Sequence, residues 1–417
     1  MGALSGIRVV DLCDPKGQYM GRLLASHGAD VVKIEPTGGD PGRRIGPFVD
    51  DRPHPDRSLF WWYYNAGKRS LAVDIFRPDG AELVRRLAAS ADVVLESFLP
   101  GALAEVGLDY DTLSAGHPAL VMTSLTPFGQ TGPWAHRAWS DGVGLALGGP
   151  MAMCGYDHVP DMPPIRPTEN HAFHIGSHFG AMGTIIALIE RTAGTTGAGQ
   201  YIDASIHEAC ATTTEAGMPY ALIEKQALLR QTGRHAAANP TEPWNYAASD
   251  GPEVNIFGMP RGDANFLKLV EWADDSGMVG NLRDPELMDG RKRQLGISQD
   301  TVRMMLADLE AFIASKPAQE IYRGGQDRGA AWGIVNAPDE LLGDPHFHAR
   351  GFWVDVEHEE LGRTIIYPGA PAKLLGTPWA IQARAPLLGE HTQTILRDEL
   401  ALEPQALSAL LGAGVIA

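Results

Sequence analysis

Short β-branched runs alternate with helical periodicity from Ile7 onward, and no other feature of the chain restricts its fold as much. Ile7 to Leu12, reading Ile-Arg-Val-Val-Asp-Leu, has the length and branching of a buried parallel strand. Gly17 and Gly21 open a segment with Met20, Leu23 and Leu24 at helical spacing. Gly28 closes it, and Val31 to Ile34 forms the next strand, ahead of Glu35. The unit repeats, with strands predicted at Ser70 to Ile75, Val93 to Glu96 and Leu120 to Leu125, and an amphipathic helix over Gly80 to Ala88. A later helix runs from Gly176 to Leu188, breaks at Thr196-Gly-Ala-Gly-Gln200, and is followed by a strand at Tyr201 to Ala204. Strands and helices in this order predict an α/β fold built on a Rossmann-like, doubly wound parallel sheet.

Ligands of such sheets gather beyond the carboxyl ends of the strands. Here that brings Asp14 to Gly17, Glu35 to Asp40, Ser97 to Gly101 and Thr126 to Gly132 around one crevice. The first turn lacks the G-x-G-x-x-G spacing that lets a dinucleotide pyrophosphate approach the backbone, which argues against NAD despite the acidic Glu35. At 417 residues the chain is long enough for two domains. Composition shifts near Lys225: Gln226 to Asn255 is polar and Ala-rich, punctuated by Pro240 and Pro243, and reads as a crossing segment. Beyond it Ser298 caps a helix whose apolar stripe is Val302, Met305, Leu306, Leu309, Phe312 and Ile313. From Asp344 the chain turns Pro- and Gly-rich, with short β-like pieces such as Thr364 to Tyr367. The expected organisation is a large domain over residues 1–225, a smaller α+β domain with its linker over 226–345, and a return over 346–417 that completes the large domain.

Composition narrows the partners. The formal net charge is -17 and the basic residues are scattered, so no nucleic-acid partner is expected, because a phosphate backbone rewards clustered Lys and Arg. No stretch reads as a bilayer span and no charged-then-apolar leader opens the chain, so the expectation is a cytoplasmic protein without a membrane partner. Cys13, Cys154 and Cys210 lie far apart in no ligand pattern and read as buried thiols. His174 and His178 have a spacing that can hold a metal, but no third ligand accompanies them, and no metal is expected. Arg43 and Arg44, on a Gly- and Pro-rich loop, read as an exposed pair. Trp61, Trp62, Tyr63 and Tyr64 offer rings for an aromatic-acid pocket, but a four-aromatic run beside a strand reads rather as packing between subunits or domains.

Gly6-Ile-Arg-Val-Val-Asp-Leu12, Gly28-Ala-Asp-Val-Val-Lys-Ile-Glu35, Asn65-Ala-Gly-Lys-Arg-Ser-Leu71, Asp92-Val-Val-Leu-Glu-Ser-Phe98, Pro127-Phe-Gly-Gln-Thr-Gly-Pro133, Thr196-Gly-Ala-Gly-Gln200 and Leu388-Gly-Glu-His391 follow one another along nearly the whole chain. In this order they resemble the class III CoA-transferases, the group of formyl-CoA transferase, carnitine CoA-transferase and α-methylacyl-CoA racemase. The resemblance implies an enzyme that moves coenzyme A between an acyl-CoA and a carboxylic acid, with no permanently bound cofactor. It also implies a Rossmann-like domain made from both chain ends, a smaller central domain, and two subunits threaded through each other as interlocked rings. For the phosphates of coenzyme A it points to Lys16 and Gly17 in the first turn and to Lys68 and Arg69 after Gly67. For adenine and pantetheine it points to Ser97, Phe98 and Gly101, with Phe128 in the following Gly-Pro turn.

In that family an aspartate attacks the thioester to form a mixed anhydride, which the released CoA thiolate converts into an enzyme-bound thioester. The matching position here falls on Ala172 or Phe173, within Thr168-Glu-Asn-His-Ala-Phe-His-Ile-Gly176, so no carboxylate stands there. The nearest catalytic candidates are Glu169, His171 and His174. Only Glu169 can form the anhydride, and displacement by one helical turn, about 5 Å, spoils attack geometry. The racemase branch keeps a His-Asp pair where this chain has Ser140-Asp141, which leaves Asp141 with His171 or His174 as acid-base candidates. An arginine expected after the Pro-Gly turn is Glu105 here. Three readings stay open. The chain is a transferase working through Glu169, or a CoA-binding subunit without its own nucleophile, or an acyl-CoA isomerase or racemase. The second is suggested by a resemblance to the benzylsuccinate CoA-transferase subunit that lacks the aspartate. The partner is a second copy in a homodimer or a sister chain in a hetero-oligomer.

Overall fold

The computed structural model describes residues 1–157, 161–167, 170–214, 217–256 and 262–417. Its contacts fall into two units, one of Met1–Met151, Arg166–Glu215 and His346–Ala417, the other of Ala152–Ile165 and Ala216–Pro345.

The first unit carries six strands, β1 (Arg8–Asp11), β2 (Asp30–Glu35), β3 (Arg69–Ala72), β4 (Val93–Glu96), β5 (Val121–Thr126) and β6 (Tyr201–Ser205), in the spatial order β3-β2-β1-β4-β5-β6. All neighbours are parallel, with Val10 opposite Val32 on one side and Val94 on the other. The order reverses between β1 and β4, and the carboxyl ends of those two strands are where a ligand crevice forms. The helices are α1 (Gln18–Ser26), α2 (Leu59–Asn65), α3 (Pro78–Ala88), α4 (Tyr110–Gly116), α5 (Asp141–Leu147), α6 (His171–Ala193) and α7 (Ile206–Thr212). Successive strand residues point to opposite faces, so both faces need cover, and β1 to β5 are buried at nearly every position. Val9, Val31, Val93 and Leu95 pack with Met20 and Leu24 of α1 and Ala181 of α6. Val10, Val32, Val94 and Leu71 pack with Leu83, Val84 and Leu87 of α3. This is the doubly wound α/β sheet expected from the alternation.

Helix α6 lies close to its neighbours because it is built from small residues. A Cβ added at Gly176 would stand 2.8 Å from Ile206 Cγ1, and one at Gly180 would stand 2.4 Å from Met20 Sδ. Its 23 residues are long and apolar enough to cross a membrane, contrary to the expectation of no such stretch, and its most apolar window is 44% buried within the structure. The outer side of the same helix exposes Phe179, Met182, Ile186 and Ile189.

The last segment of the chain returns to this unit. Ile395, Leu396 and Val415 join the core on the α3 face. The β-like piece at Thr364 to Tyr367 lies in β11 (Arg363–Pro368), antiparallel to β10 (Trp353–His358). Trp61 and Trp62 pack against Val356 and Tyr367 of this hairpin, so the aromatic run packs within one unit. Cys13 and Cys210 are buried, whereas Cys154 is only half-buried.

The second unit has a small antiparallel sheet, β7 (Asn245–Ala247), β8 (Glu253–Asn255) and β9 (Gly333–Ile334). Around it lie helices Asp263–Asp275, Gln299–Ala314 and Ala318–Asp327, with Phe266, Leu269, Leu309, Phe312 and Trp332 in the core. Ser298 accepts the backbone N–H of Thr301 as the cap expected for the second of these helices. The segment read as a crossing linker ends in β7 and β8. Three-residue strands carry too little periodicity to rise above a polar background.

Candidate functional site

At the switch between β1 and β4 the two following loops are tied to each other. Asp14 donates its backbone N–H to Ser97 Oγ (2.9 Å), and its carboxylate accepts from Ser97 Oγ (2.8 Å) and from Lys16 N (3.0 Å). The Lys16 ammonium pairs with the same carboxylate. Gly17 sits where a Cβ would come within 2.9 Å of Cys13 Sγ, so the first turn can pass this close only without a side chain. Phe98 follows Ser97 and meets Phe76 edge-on, with ring centres 6.1 Å apart. Both rings line a cavity of about 260 Å³ with Leu12, Ile34, Pro36 and Ile75, over the carboxyl edges of β1, β2 and β3. Gly101 closes the loop at φ +88° with open space around it. Phe128, at the next loop, packs against Trp134 and Trp139 at ring distances of 5.6 and 5.1 Å. Lys16, Gly17, Ser97 and Phe98 therefore gather at one crevice.

Lys68 and Arg69 do not. Lys68 is buried, and its ammonium spends all three protons internally, on Asp11 Oδ2 (2.8 Å), Gln18 O (2.7 Å) and Asn65 Oδ1 (2.9 Å). Burial pulls its pKa below the ordinary lysine value, with Asp11 opposing. Arg69 opens β3 and pairs with Asp30, the first residue of β2, and with Glu399. Neither keeps a cation free for a phosphate at the carboxyl edge. Arg43 is a further correction: it is buried rather than exposed, pairs with Glu35 (2.6 Å) and Asp56 (2.7 Å), and lies 3.8 Å over the Trp61 ring. Arg44 is exposed as expected.

The start of α6 answers for the catalytic candidates. Asn170 sits at φ 64° and gives this helix no side-chain cap. The orphan N–H groups of Ala172 and Phe173 are instead taken by Asp141 Oδ1, at 2.8 and 3.3 Å, from the first turn of α5. Arg166 Nη1 lies 3.5 Å from the other oxygen of Asp141. Asp141 thus ties two helices through Oδ1, while its Oδ2 is buried without a hydrogen-bond partner among the described residues. Of the two residues expected at the family nucleophile position, Ala172 is fully buried and Phe173 half-buried. His171 is exposed. His174 Nε2 lies 2.5 Å from Tyr64 Oη, and burial, helped by His178 and His171, lowers its pKa to about 4. Tyr19 covers the same ring at 4.4 Å. Glu169 lies outside the described residues. Among the described residues no three His, Cys, Asp or Glu come together to hold a metal.

Four residues near these loops were not singled out in the sequence, although two of them, Thr126 and Gln130, lie in the loop expected at the crevice. Glu96 ends β4, is buried, and accepts the Phe98 N–H at 2.7 Å. Burial raises its pKa to about 7 against the pull of Ser124 and that N–H. Gln130 donates its backbone N–H to Asp203 (3.0 Å) and its side-chain amide to Ser124. Thr126 Oγ1 at the end of β5 and Trp139 Nε1 are buried without a hydrogen-bond partner. Thr126 and Gln130 had a positional signal in that loop, and Glu96 had one as the last, polar residue of an apolar strand beside the switch point.

The chain matches the family model of CoA-transferase family III over residues 4–392. It is 34% identical over 394 residues to succinyl-CoA:(R)-benzylsuccinate CoA-transferase subunit BbsE of Thauera aromatica, which covers 94% of this chain and 93% of that protein. It is 31% identical over 415 residues to succinyl-CoA–D-citramalate CoA-transferase of Chloroflexus aurantiacus, covering 99% and 98%. Its fold matches the crystal structure of a CAIB/BAIF family protein from Brucella suis with a TM-score of 0.79 at 28% identity, over 96% of this chain and 99% of that one. With a parallel sheet, a crevice at its switch point and this likeness along almost its full length, the chain belongs to CoA-transferase family III.

Proposed function

We propose that this chain is the nucleotide-holding subunit of an enzyme that exchanges coenzyme A between succinyl-CoA and a second carboxylic acid, with another chain supplying the attacking carboxylate. The observation that carries this reading is the start of α6. There neither Ala172 nor Phe173, the two residues expected to match the family nucleophile, is a carboxylate, and the nearby Asp141 gives one oxygen, Oδ1, to the helix's N–H groups while Oδ2 lies buried without a hydrogen-bond partner among the described residues. The relatives' names support the donor and the division of labour, since one is a subunit of a succinyl-CoA transferase. The exposed apolar residues Phe179, Met182, Ile186 and Ile189 support a second chain covering α6.

In this reading the adenine stacks on Phe98, and the phosphates lie at the backbone of Gly17, with Lys16 turning to them from its partly exposed pair with Asp14. The partner's carboxylate oxygen bonds to the thioester carbonyl carbon, and the carbon–sulfur bond breaks to release CoA thiolate. The thiolate then attacks the enzyme carbonyl of the anhydride and frees succinate. The acceptor acid repeats the two steps in reverse. An acid-base reading has less support, because a histidine held near 4 and bonded to Tyr64 is a weak base.

The test is trapping. The purified chain is incubated with succinyl-CoA and hydroxylamine, and its peptides are weighed. All carboxylates of the chain should remain unmodified. A hydroxamate on Glu169 would overturn the subunit reading and make this chain a complete transferase.

A further inference from the structure

One buried cation of the first unit has no anion among the described residues. Arg22, in the middle of α1, is only 4% exposed. Its Nε donates to Tyr63 O (3.2 Å), its Nη1 donates to Ser26 Oγ, and its Cζ lies 5.2 Å from the centre of the Trp379 ring. The other interior cations of this unit are paired, Lys68 with Asp11, Lys33 with Asp40 and Arg43 with Glu35. The titratable groups facing Arg22 are the phenols of Tyr63, Tyr19 and Tyr367, and no carboxylate faces it among the described residues. Burial pulls its pKa below the ordinary arginine value, yet a guanidinium does not deprotonate in a protein, so the charge stays. A buried charge without a counter-ion is costly enough to need an explanation.

Arg22 borders a cavity of about 240 Å³ whose walls include Tyr19, Tyr63, Trp379, Phe352 and His178, and whose lining holds no Asp or Glu. Tyr19 and Tyr63 stand nearly parallel, 6.0 Å apart at 18°. The free edge of a guanidinium beside phenol hydroxyls is a donor set for a carboxylate, and flat ring walls favour a flat apolar body. The volume is below the range of about 300–1,000 Å³ typical of drug-sized ligands, which suits a single ring. We propose that this cavity binds a small aromatic monocarboxylate, anchored by the guanidinium of Arg22. The cavity shares no lining residue with the one at Phe98, so the assignment goes beyond the reading of the coenzyme A crevice.

Isothermal titration of the intact chain with benzoate, benzamide and inorganic phosphate tests it. Benzoate should give saturable heat, and the other two should bind at least about tenfold more weakly, as the loss of a charge-assisted contact or of the ring implies. Arg22→Gln and Trp379→Ala should each weaken benzoate by about tenfold and leave the heat of coenzyme A binding unchanged. The proposal falls if wild-type protein gives no heat with benzoate, if benzamide binds equally well, or if Arg22→Gln binds benzoate undiminished. The first two results need no variant, so a misfolded one cannot protect the idea. Absent benzoate heat together with a smaller assembly for Arg22→Gln would assign the guanidinium to a carboxylate of a neighbouring chain. Benzoate heat without coenzyme A heat would count against the crevice reading and leave this one standing.

Discussion

At the scale of single residues, burial decides which charged groups can act. Lys68 follows a glycine in a segment that resembles a CoA-binding motif, yet its three protons are all used inside the protein. Sequence carries the residue type, while availability depends on what folds over it. Glu96 shows the same logic in a carboxylate, because burial raises its pKa to about 7. An unfolded glutamate titrates near about 4.3, so between the two values the folded protein holds a proton that the unfolded chain has lost. This contribution to stability is complete below about pH 4 and disappears as pH rises through about 7. Glu96→Gln removes the titration. The denaturant midpoints of that variant at about pH 5 and about pH 8 should differ less than those of the wild type. Equal differences in the two proteins would mean that Glu96 does not titrate in this window.

At the scale of elements, α6 depends on a residue distant in sequence. Its periodicity and small residues were legible, and the predicted stretch from Gly176 to Leu188 lies within His171–Ala193. Its beginning was not, because the cap comes from Asp141 on α5 rather than from Asn170 beside it. Asp141→Ala should lower stability by about 1–2 kcal/mol, the usual cost of losing a helix cap. Chemical denaturation followed by circular dichroism measures this, and an unchanged midpoint would show that the two N–H groups find other partners. The aromatic run Trp61 to Tyr64 read correctly as packing but not as to its partners. The hairpin that Trp61 and Trp62 meet lies some three hundred residues later in the chain.

For the whole molecule, family membership and the lack of a carboxylate at Ala172 and Phe173 divide the activity between chains in our proposal. Mixing this chain with a sister chain that keeps the family aspartate should restore CoA exchange that neither shows alone, measured as transfer of CoA from succinyl-CoA to an added acid. Full exchange by this chain by itself would remove the need for a partner. The amino-acid sequence by itself determined the doubly wound sheet, the switch-point loops and the family, because strand and helix periods and short motifs are written in contiguous residues. Only the tertiary structure decided that Lys68, Arg43 and Asp141 are internal ties, that burial raises the pKa of Glu96, and that Arg22 has no counter-ion among the described residues. Each of these depends on desolvation and on partners brought together from distant segments, which no local pattern encodes.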